Sequence, residues 1–382
     1  MTDPVVITQS GAVRGRAVGG VARFLGGPYA AAPVGAAQFE APRPPAPWQG
    51  ERDAGDYGPT APQVVRGFAE LDLTPLVGSG WGRGDDYLNL TIWTPAVGAR
   101  GLPVMLFVHG GAFVAGSNTP GVYDGTAFAR SGVVLMAINY RMGIEGFTVI
   151  AGAPTNIGLR DQIAALHWAR ANAAAFGGDP DNITIFGESA GAMTIADLIA
   201  SPLAKGLFRR AIVQSGHGQM TRSMAVAKKL TARLGKLLAI RPDVKGFQSR
   251  TVEARLAALD KAQLPTARLD LREADGFERA YGLSRFLPVH GDDVLPEPPL
   301  QLLAKGAGRD VDLLIGANTE EMNIYFVPTG VTKKLNGLLA WLVLRASQPH
   351  AAKVLKAYRQ KGDRPGVTLA KAMTDLVFRL PA

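Results

Sequence analysis

Two textures of hydrophobic and polar positions follow one another along the chain. From Val5 to about Gly101, short apolar runs alternate with Gly- and Pro-rich connections such as APRPPAPW. That pattern predicts a meander of strands and turns, with Ala12–Arg16, Val21–Leu25 and Leu88–Trp93 as its strands. Beyond Gly101 the apolar runs become continuous. LPVMLFVHGG ends in glycines as a strand buried on both faces does, and Gly132–Asn139, Asn182–Phe186, Phe208–Gln214 and Val311–Gly316 repeat the pattern. Leu159–Phe176 carries apolar residues at helical spacing and is closed by a GGDP turn; small residues from Ala190 to about Ala200 predict another helix. Alternating strand and helix specify an α/β fold with a mostly parallel sheet. The charged, helically spaced stretch from Arg222 to Ala280 breaks the alternation and reads as a cap over the carboxyl edge of that sheet.

Composition narrows the class. With 382 residues, 47% hydrophobic and 19% charged, the chain has the apolar material for a sizeable core, in one large α/β domain or two ordinary ones. Disorder and collagen-like or repeat architectures are excluded, and no apolar run approaches the ~18 to 20 residues of a membrane helix. There are no cysteines, which removes disulfides, thiolate nucleophiles and Cys-ligated metals from consideration. MTDPVVITQSG has neither a basic start nor an apolar core, so the expected location is the cytoplasm. The net charge of +9 is concentrated in 222–280 (+6) and 331–382 (+8), at helical spacing in stretches such as AVAKKLTARLGKLL. Such spacing predicts solvated helix faces, and no nucleic-acid or membrane partner is expected.

The sharpest chemical signal is Gly187-Glu188-Ser189-Ala190-Gly191, placed between a buried strand and a helix. This is the context of a nucleophile elbow: the serine takes a strained turn conformation, and a larger neighbour on either side would collide with strand or helix. The helix start directs backbone N–H groups and partial positive charge at the reacting centre. Upstream, His109-Gly110-Gly111-Ala112-Phe113 ends the strand LPVMLFV. Its consecutive glycines let the N–H groups of Gly110 and Gly111 join that of Ala190 around a tetrahedral oxyanion, each donor contributing ~3 to 4 kcal/mol. His109 fits bracing of this loop better than a role as base.

The longer segments around these motifs resemble the type-B carboxylesterases, the α/β-hydrolase branch that includes cholinesterases and bacterial para-nitrobenzyl esterases. FLGGPYAAAPVGAAQFEAP, GDDYLNLTIWTP, VHGGAFVAGS, NYRMGIEGF, the block from NIGLRDQ to GESAGAM, the QSG at Gln214–Gly216 and IGANTEEMNIYF carry the resemblance over nearly the whole chain. It implies an α/β-hydrolase fold with an N-terminal antiparallel meander, a single domain over 1–382 and a helical cap at 222–280. It further implies a serine carboxylic-ester hydrolase acting on a small-molecule ester, with no metal or organic cofactor. The implied triad is Ser–His–Glu, in the chain order nucleophile, acid, histidine. The family's acid lies in a segment like G-x-N-x-D-E-G, matched here by Gly316–Glu321, which gives Glu321; Met322 stands where many members have glycine. Adjacent residues face different ways, so one of Glu320 and Glu321 reaches the site, and the match favours Glu321. Ser215 matches the family serine that hydrogen-bonds the acid, although a serine ending a buried strand could equally be plain structure. Tyr87 stands where many members carry a disulfide cysteine, in keeping with a cysteine-free, bacterial-type member.

The histidine is the difficulty. His109 belongs to the oxyanion loop, His167 sits within the Leu159–Phe176 helix, and His217 and His290 precede the acid. Only His350 follows Glu321, opening the basic segment QPHAAKVLKAYRQ, which in the family belongs to the cap. The family's histidine comes after a segment resembling AMTDLVFRLPA, the end of this sequence. The resemblance therefore implies a member without the family histidine and without its last strand and helix. The alternative to an active esterase is a catalytically impaired or non-catalytic binding member of the cholinesterase-like fold.

Overall fold

The continuous apolar runs form the middle of an eight-stranded sheet in a computed structural model that describes residues 2–68, 70–264, 269–278 and 280–382. The strands are β1 (Val5–Ile7), β2 (Ala12–Arg14), β3 (Arg16–Val18), β4 (Val21–Pro28), β5 (Glu51–Asp53), β6 (Asn89–Thr94), β7 (Leu102–Val108), β8 (Val134–Ile138), β9 (Gly178–Glu188), β10 (Arg210–Gln214), β11 (Arg222–Ser223), β12 (Val289–His290) and β13 (Asp312–Gly316). The large sheet runs β13-β10-β9-β7-β8-β6-β4-β3. β13, β10, β9, β7 and β8 are parallel, while β6, β4 and β3 add on antiparallel. Val104, Leu106 and Val108 on β7, Val134, Met136 and Ile138 on β8, and Ile183 and Ile185 on β9 are buried, as strands covered on both faces require. At the far edge β13 exposes Leu313, Leu314 and Ile315, an open strand of the kind that other chains can pair with. Among the described residues no helix is long and apolar enough to cross a membrane.

Three sequence expectations change in detail. The expected strand Ala12–Arg16 is split at Gly15 between two sheets: β2 joins a small sheet with β1 and β5, and β3 joins the large one. A Cβ at Gly15 would lie 2.4 Å from the Arg23 carbonyl oxygen and 2.7 Å from the Phe24 ring, so the crossing demands glycine. The GGDP turn is made by Gly177 alone, at φ 88°; Gly178 already pairs with Leu102, so β9 starts there. Within the expected cap, helices cover Met224–Leu238, Val244–Gln248 and Val252–Gln263, but 269–278 is not helical. There Asp270 accepts from the Arg272 N–H (3.1 Å) and Asp275 from the Phe277 N–H (3.0 Å), local bonds that compete with a helix. Positions 265–268 and 279 of that stretch lie outside the described residues.

One buried ion pair fixes the loop behind the site. Arg141 meets Asp161 through Nη2 (2.6 Å) and Nε (2.8 Å), and donates from Nη1 to the carbonyls of Gln38 and Glu40. Both side chains are essentially inaccessible to water, so either alone would be an uncompensated charge. Arg141→Ala is expected to lower unfolding free energy by about 3–5 kcal/mol, read from the urea midpoint. Tyr87 joins the neighbouring network by donating to Glu145 Oε2 (2.9 Å), and Glu145 also holds Arg255 (3.1 Å).

Candidate active site

Parallel pairing brings three strand ends level. Glu188, Gln214 and Gly316 are in register across β9, β10 and β13, so the chain leaves the sheet at Ser189, Ser215 and Ala317 side by side. This is the carboxyl edge of the sheet, where α/β folds place their ligands.

Ser189 takes φ 52°, ψ −122°, a conformation costly for a residue with a side chain. It stands at the N-cap of the helix Ala190–Ala200, yet its side chain caps no helical N–H, so the hydroxyl is not spent as an ordinary cap. The turn is held by Ser189 N–H to the Gln214 carbonyl (2.9 Å) and Met193 N–H to the Ser189 carbonyl (2.9 Å). Its flanking glycines are obligatory. A Cβ at Gly187 would come within 2.5 Å of the Val108 carbonyl oxygen, and one at Gly191 within 2.1 Å of the same atom.

The loop after β7 closes on this turn. A Cβ at Gly110 would sit 2.7 Å from Glu188 Oε2 and 3.2 Å from Ser189 Cβ, so backbone and nucleophile candidate are in direct apposition. Gly111, Ala112 and Phe113 all have positive φ (116°, 55° and 63°), a strained run pinned by Ala115 N–H to the Gly111 carbonyl (3.0 Å) and Gly143 N–H to the Phe113 carbonyl (2.7 Å). The N–H groups of Gly110 and Gly111 find no acceptor among the described residues, and that of Ala190 opens a helix, where no intrahelical partner exists. Three unspent donors beside one serine are the makings of an oxyanion hole. His109 braces the loop from behind. It is buried, stacks on Tyr140 at 4.5 Å, and donates from Nδ1 to the Gly110 carbonyl at 2.8 Å. Burial pulls its imidazole down to about 4, so it is neutral at physiological pH.

Beyond β13, Glu321 and Glu320 diverge. Glu321 accepts from the Asn318 N–H (2.7 Å) and Asn318 Nδ2 (3.3 Å), while Glu320 is exposed and accepts from Asn323 Nδ2 (3.0 Å). Met322 is buried, its N–H bonded to Thr374 Oγ1 (3.1 Å), which anchors the segment. The expected direct bond from Ser215 to Glu321 is replaced by a bridge. Ser215, at φ 56°, accepts at Oγ from Asn318 Nδ2 (3.3 Å), and that amide also reaches Glu321. Glu188 is a partner that motif reading passed over. Its side chain opens on solvent along one edge, but protein surrounds the rest, and this burial together with the Glu321 carboxylate pushes its carboxyl up to about 7. The signal was present in the motif itself, an acid directly before the nucleophile. Burial, with Glu188 and then Glu321 nearby, likewise raises the Tyr325 phenol to about 12.

No histidine bonds to Ser189 or Glu321 among the described residues. His217 is buried between the Val377 carbonyl (Nε2, 2.5 Å) and the Gln219 N–H (Nδ1, 3.1 Å), His290 meets Thr221 Oγ1 (3.2 Å), and His167 and His350 are exposed.

The sequence profile of the carboxylesterase family matches residues 2–376. A para-nitrobenzyl esterase of Bacillus subtilis is 36% identical over 387 residues, covering 100% of this chain and 75% of that protein. A phenmedipham hydrolase of Pseudarthrobacter oxydans is 33% identical over 99% of this chain and 74% of its own. In three dimensions the carboxylesterase of Geobacillus stearothermophilus superposes with a TM-score of 0.84 at 36% identity, over 99% of this chain and 75% of that one. With an α/β-hydrolase sheet, a strained serine at the elbow and this match along its length, the chain belongs to the carboxylesterase family, a family of serine ester hydrolases.

Proposed function

We propose that Ser189 is the nucleophile of a hydrolase of small carboxylic esters, working through an acyl-enzyme. The observation that carries this reading is the strained Ser189 set against Gly110, with the N–H groups of Gly110 and Gly111 unspent. Ser189 Oγ adds to the ester carbonyl, forming the C–O bond as its proton passes to an imidazole. The carbonyl oxygen becomes an oxyanion held by the N–H groups of Gly110, Gly111 and Ala190. Collapse expels the alcohol, which takes the proton back from the imidazolium; water then repeats the sequence on the acyl-enzyme and releases the acid. Glu321 orients the imidazole and stabilises its cation, and Ser215 acts on Glu321 through Asn318. Residues 1–382 supply every one of these parts except the imidazole. The second reading, a catalytically impaired or non-catalytic member of the fold, is supported by the histidines within residues 1–382, none of which bonds to Ser189 or Glu321 among the described residues. A cytoplasmic setting belongs to the same proposal.

The deciding experiment is para-nitrophenol release from para-nitrophenyl butyrate by a form that carries a histidine against Glu321: turnover that is lost in Ser189→Ala supports the hydrolase, and no turnover above the solvent rate supports the binding member. The acid has its own test in a form that carries a histidine against Glu321. There Glu321→Gln is expected to lower kcat by about 10⁴-fold, because the wrong tautomer is held and the imidazolium loses its counter-charge. Glu320→Gln, at an exposed position, is expected to leave kcat within about 2-fold, and the reverse ranking would move the acid by one residue.

A further inference from the structure

The loop that carries Gly110 and Gly111 is gripped at its far end by a residue from another part of the chain. Gln63 is buried and lies 53 positions before Gly116, which it brackets with its side-chain amide. Nε2 donates to the Gly116 carbonyl (2.9 Å), and the Gly116 N–H donates to Oε1 (2.7 Å). Buried backbone groups need partners, and glutamine meets both with one neutral planar group, as a neighbouring strand would. The segment behind it is tied to the body of the protein. Nε2 also reaches the Ala61 carbonyl (3.2 Å), the Pro59 carbonyl accepts from Asn89 Nδ2 (2.8 Å) and Asn139 Nδ2 (3.2 Å), and the Thr60 N–H donates to the Gly82 carbonyl (2.9 Å).

Gly116 in turn backs the peptide between Gly110 and Gly111. With φ 110°, its backbone lies so close that a Cβ there would stand 2.3 Å from the Gly110 carbonyl oxygen and 2.4 Å from His109 Nδ1. Those are the two ends of the 2.8 Å bond by which His109 holds that carbonyl. The Gly110 carbonyl and the Gly111 N–H belong to one trans peptide, so they point in opposite directions. Fixing the carbonyl therefore aims the N–H. Two glycines flank this peptide and positive φ values follow it, so it would turn unless its surroundings held it. His109 holds the carbonyl itself, and Gln63 holds the backbone packed against it.

Resting on the reading of Ser189 as nucleophile, we infer that Gln63 is a positioning residue of the ester site: through Gly116 it keeps the Gly110–Gly111 peptide at the angle from which the Gly111 N–H meets the oxyanion. It touches neither substrate nor Ser189, so its effect falls on the transition state and not on ground-state binding.

The test has two arms, both on Gln63→Met, which keeps the length of the side chain and removes both bonds. In residues 1–382, nitrogen-15 relaxation dispersion at backbone glycines is expected to show new microsecond-to-millisecond exchange at Gly111 as well as at Gly116, with Gly246 in the helix Val244–Gln248 unmoved. Exchange confined to Gly116 would mean that Gln63 serves only its own partner, and would overturn the inference. In the form that carries a histidine against Glu321, para-nitrophenyl butyrate kinetics are expected to show kcat lowered about 10- to 100-fold with KM within about 2-fold, part of the cost of losing a whole oxyanion donor. A Ser189-dependent kcat within about 2-fold of the parent, or a loss carried by KM alone, would also overturn it. Turnover that survives Ser189→Ala would instead fail the reading of the nucleophile, and relaxation at Gly111 would still decide whether Gln63 holds the peptide. Should Gln63→Met not fold, as read from its urea midpoint, Gln63→Glu replaces it in both arms. That variant keeps an acceptor for the Gly116 N–H, and its kcat is expected to fall by less than 10-fold with the same exchange at Gly111; an unchanged kcat and a quiet Gly111 would overturn the inference.

Discussion

Ser189→Ala is expected to remove all covalent labelling by a fluorophosphonate from a form of the protein that has a histidine supplied. In a form of the protein in which a histidine faces Glu321, it is also expected to lower turnover of para-nitrophenyl butyrate by about 10⁶-fold, equivalent to about 8 kcal/mol of barrier. The effect is large because, in the proposed mechanism, Ser189 Oγ forms the covalent bond to the acyl group. Ser215 is the nearest alternative by sequence position at the strand ends, but it is buried and its Oγ is engaged by Asn318. Ser215→Ala should therefore keep the label. The alanine variant should also stay folded, since Ser189 uses backbone atoms alone to hold the elbow, through Gln214 and Met193. Intact mass after probe treatment, with a tryptic map locating the adduct, gives the answer. A label that survives Ser189→Ala would place the nucleophile elsewhere.

The elbow was legible in the sequence because its physics is local. A glycine on each side of the serine, a buried apolar run before and small residues after are all needed within a dozen positions, and the Val108 carbonyl oxygen beside both glycines shows why. The tight glycine loop after β7 was legible for the same reason, although three successive positive φ values at Gly111, Ala112 and Phe113 were not, since two of those residues carry side chains. What the sequence concealed depends on register between distant segments. Glu188 and Glu321 meet because β9, β10 and β13 end level, a relation set by sheet pairing across residues far apart in the chain. The bridge through Asn318 depends on the turn at Ser215, where a positive φ directs the hydroxyl to an amide rather than to the carboxylate. The cap misled at 269–278 because charge spacing alone suggests helix, while Asp270 and Asp275 spend their carboxylates on nearby N–H groups.

A polypeptide of residues 1–382 is expected to hydrolyse para-nitrophenyl acetate about 10⁶-fold more slowly than a form with histidine in place, because Ser189 then has no group to take its proton at neutral pH. The five imidazoles are otherwise committed or remote. Burial holds both His109 and His217 at about 4, the first against the Gly110 carbonyl and the second against the Val377 carbonyl. His290 is with Thr221, His167 is on an exposed helix face, and His350 stands exposed at the start of the helix Ala351–Tyr358. The oxyanion donors and substrate binding remain, so a residual acceleration of about 10³-fold over water is expected, and it should disappear when Gly110 or Gly111 can no longer present its N–H. Added imidazole should raise the Ser189-dependent part of the rate by acting as the base that takes the Ser189 proton, and should leave Ser189→Ala at the rate of free imidazole. Robust turnover by residues 1–382 without imidazole, lost in both Ser189→Ala and His350→Ala, would overturn this expectation. It would make His350 the base, carried to Glu321 by a movement of the helix it opens.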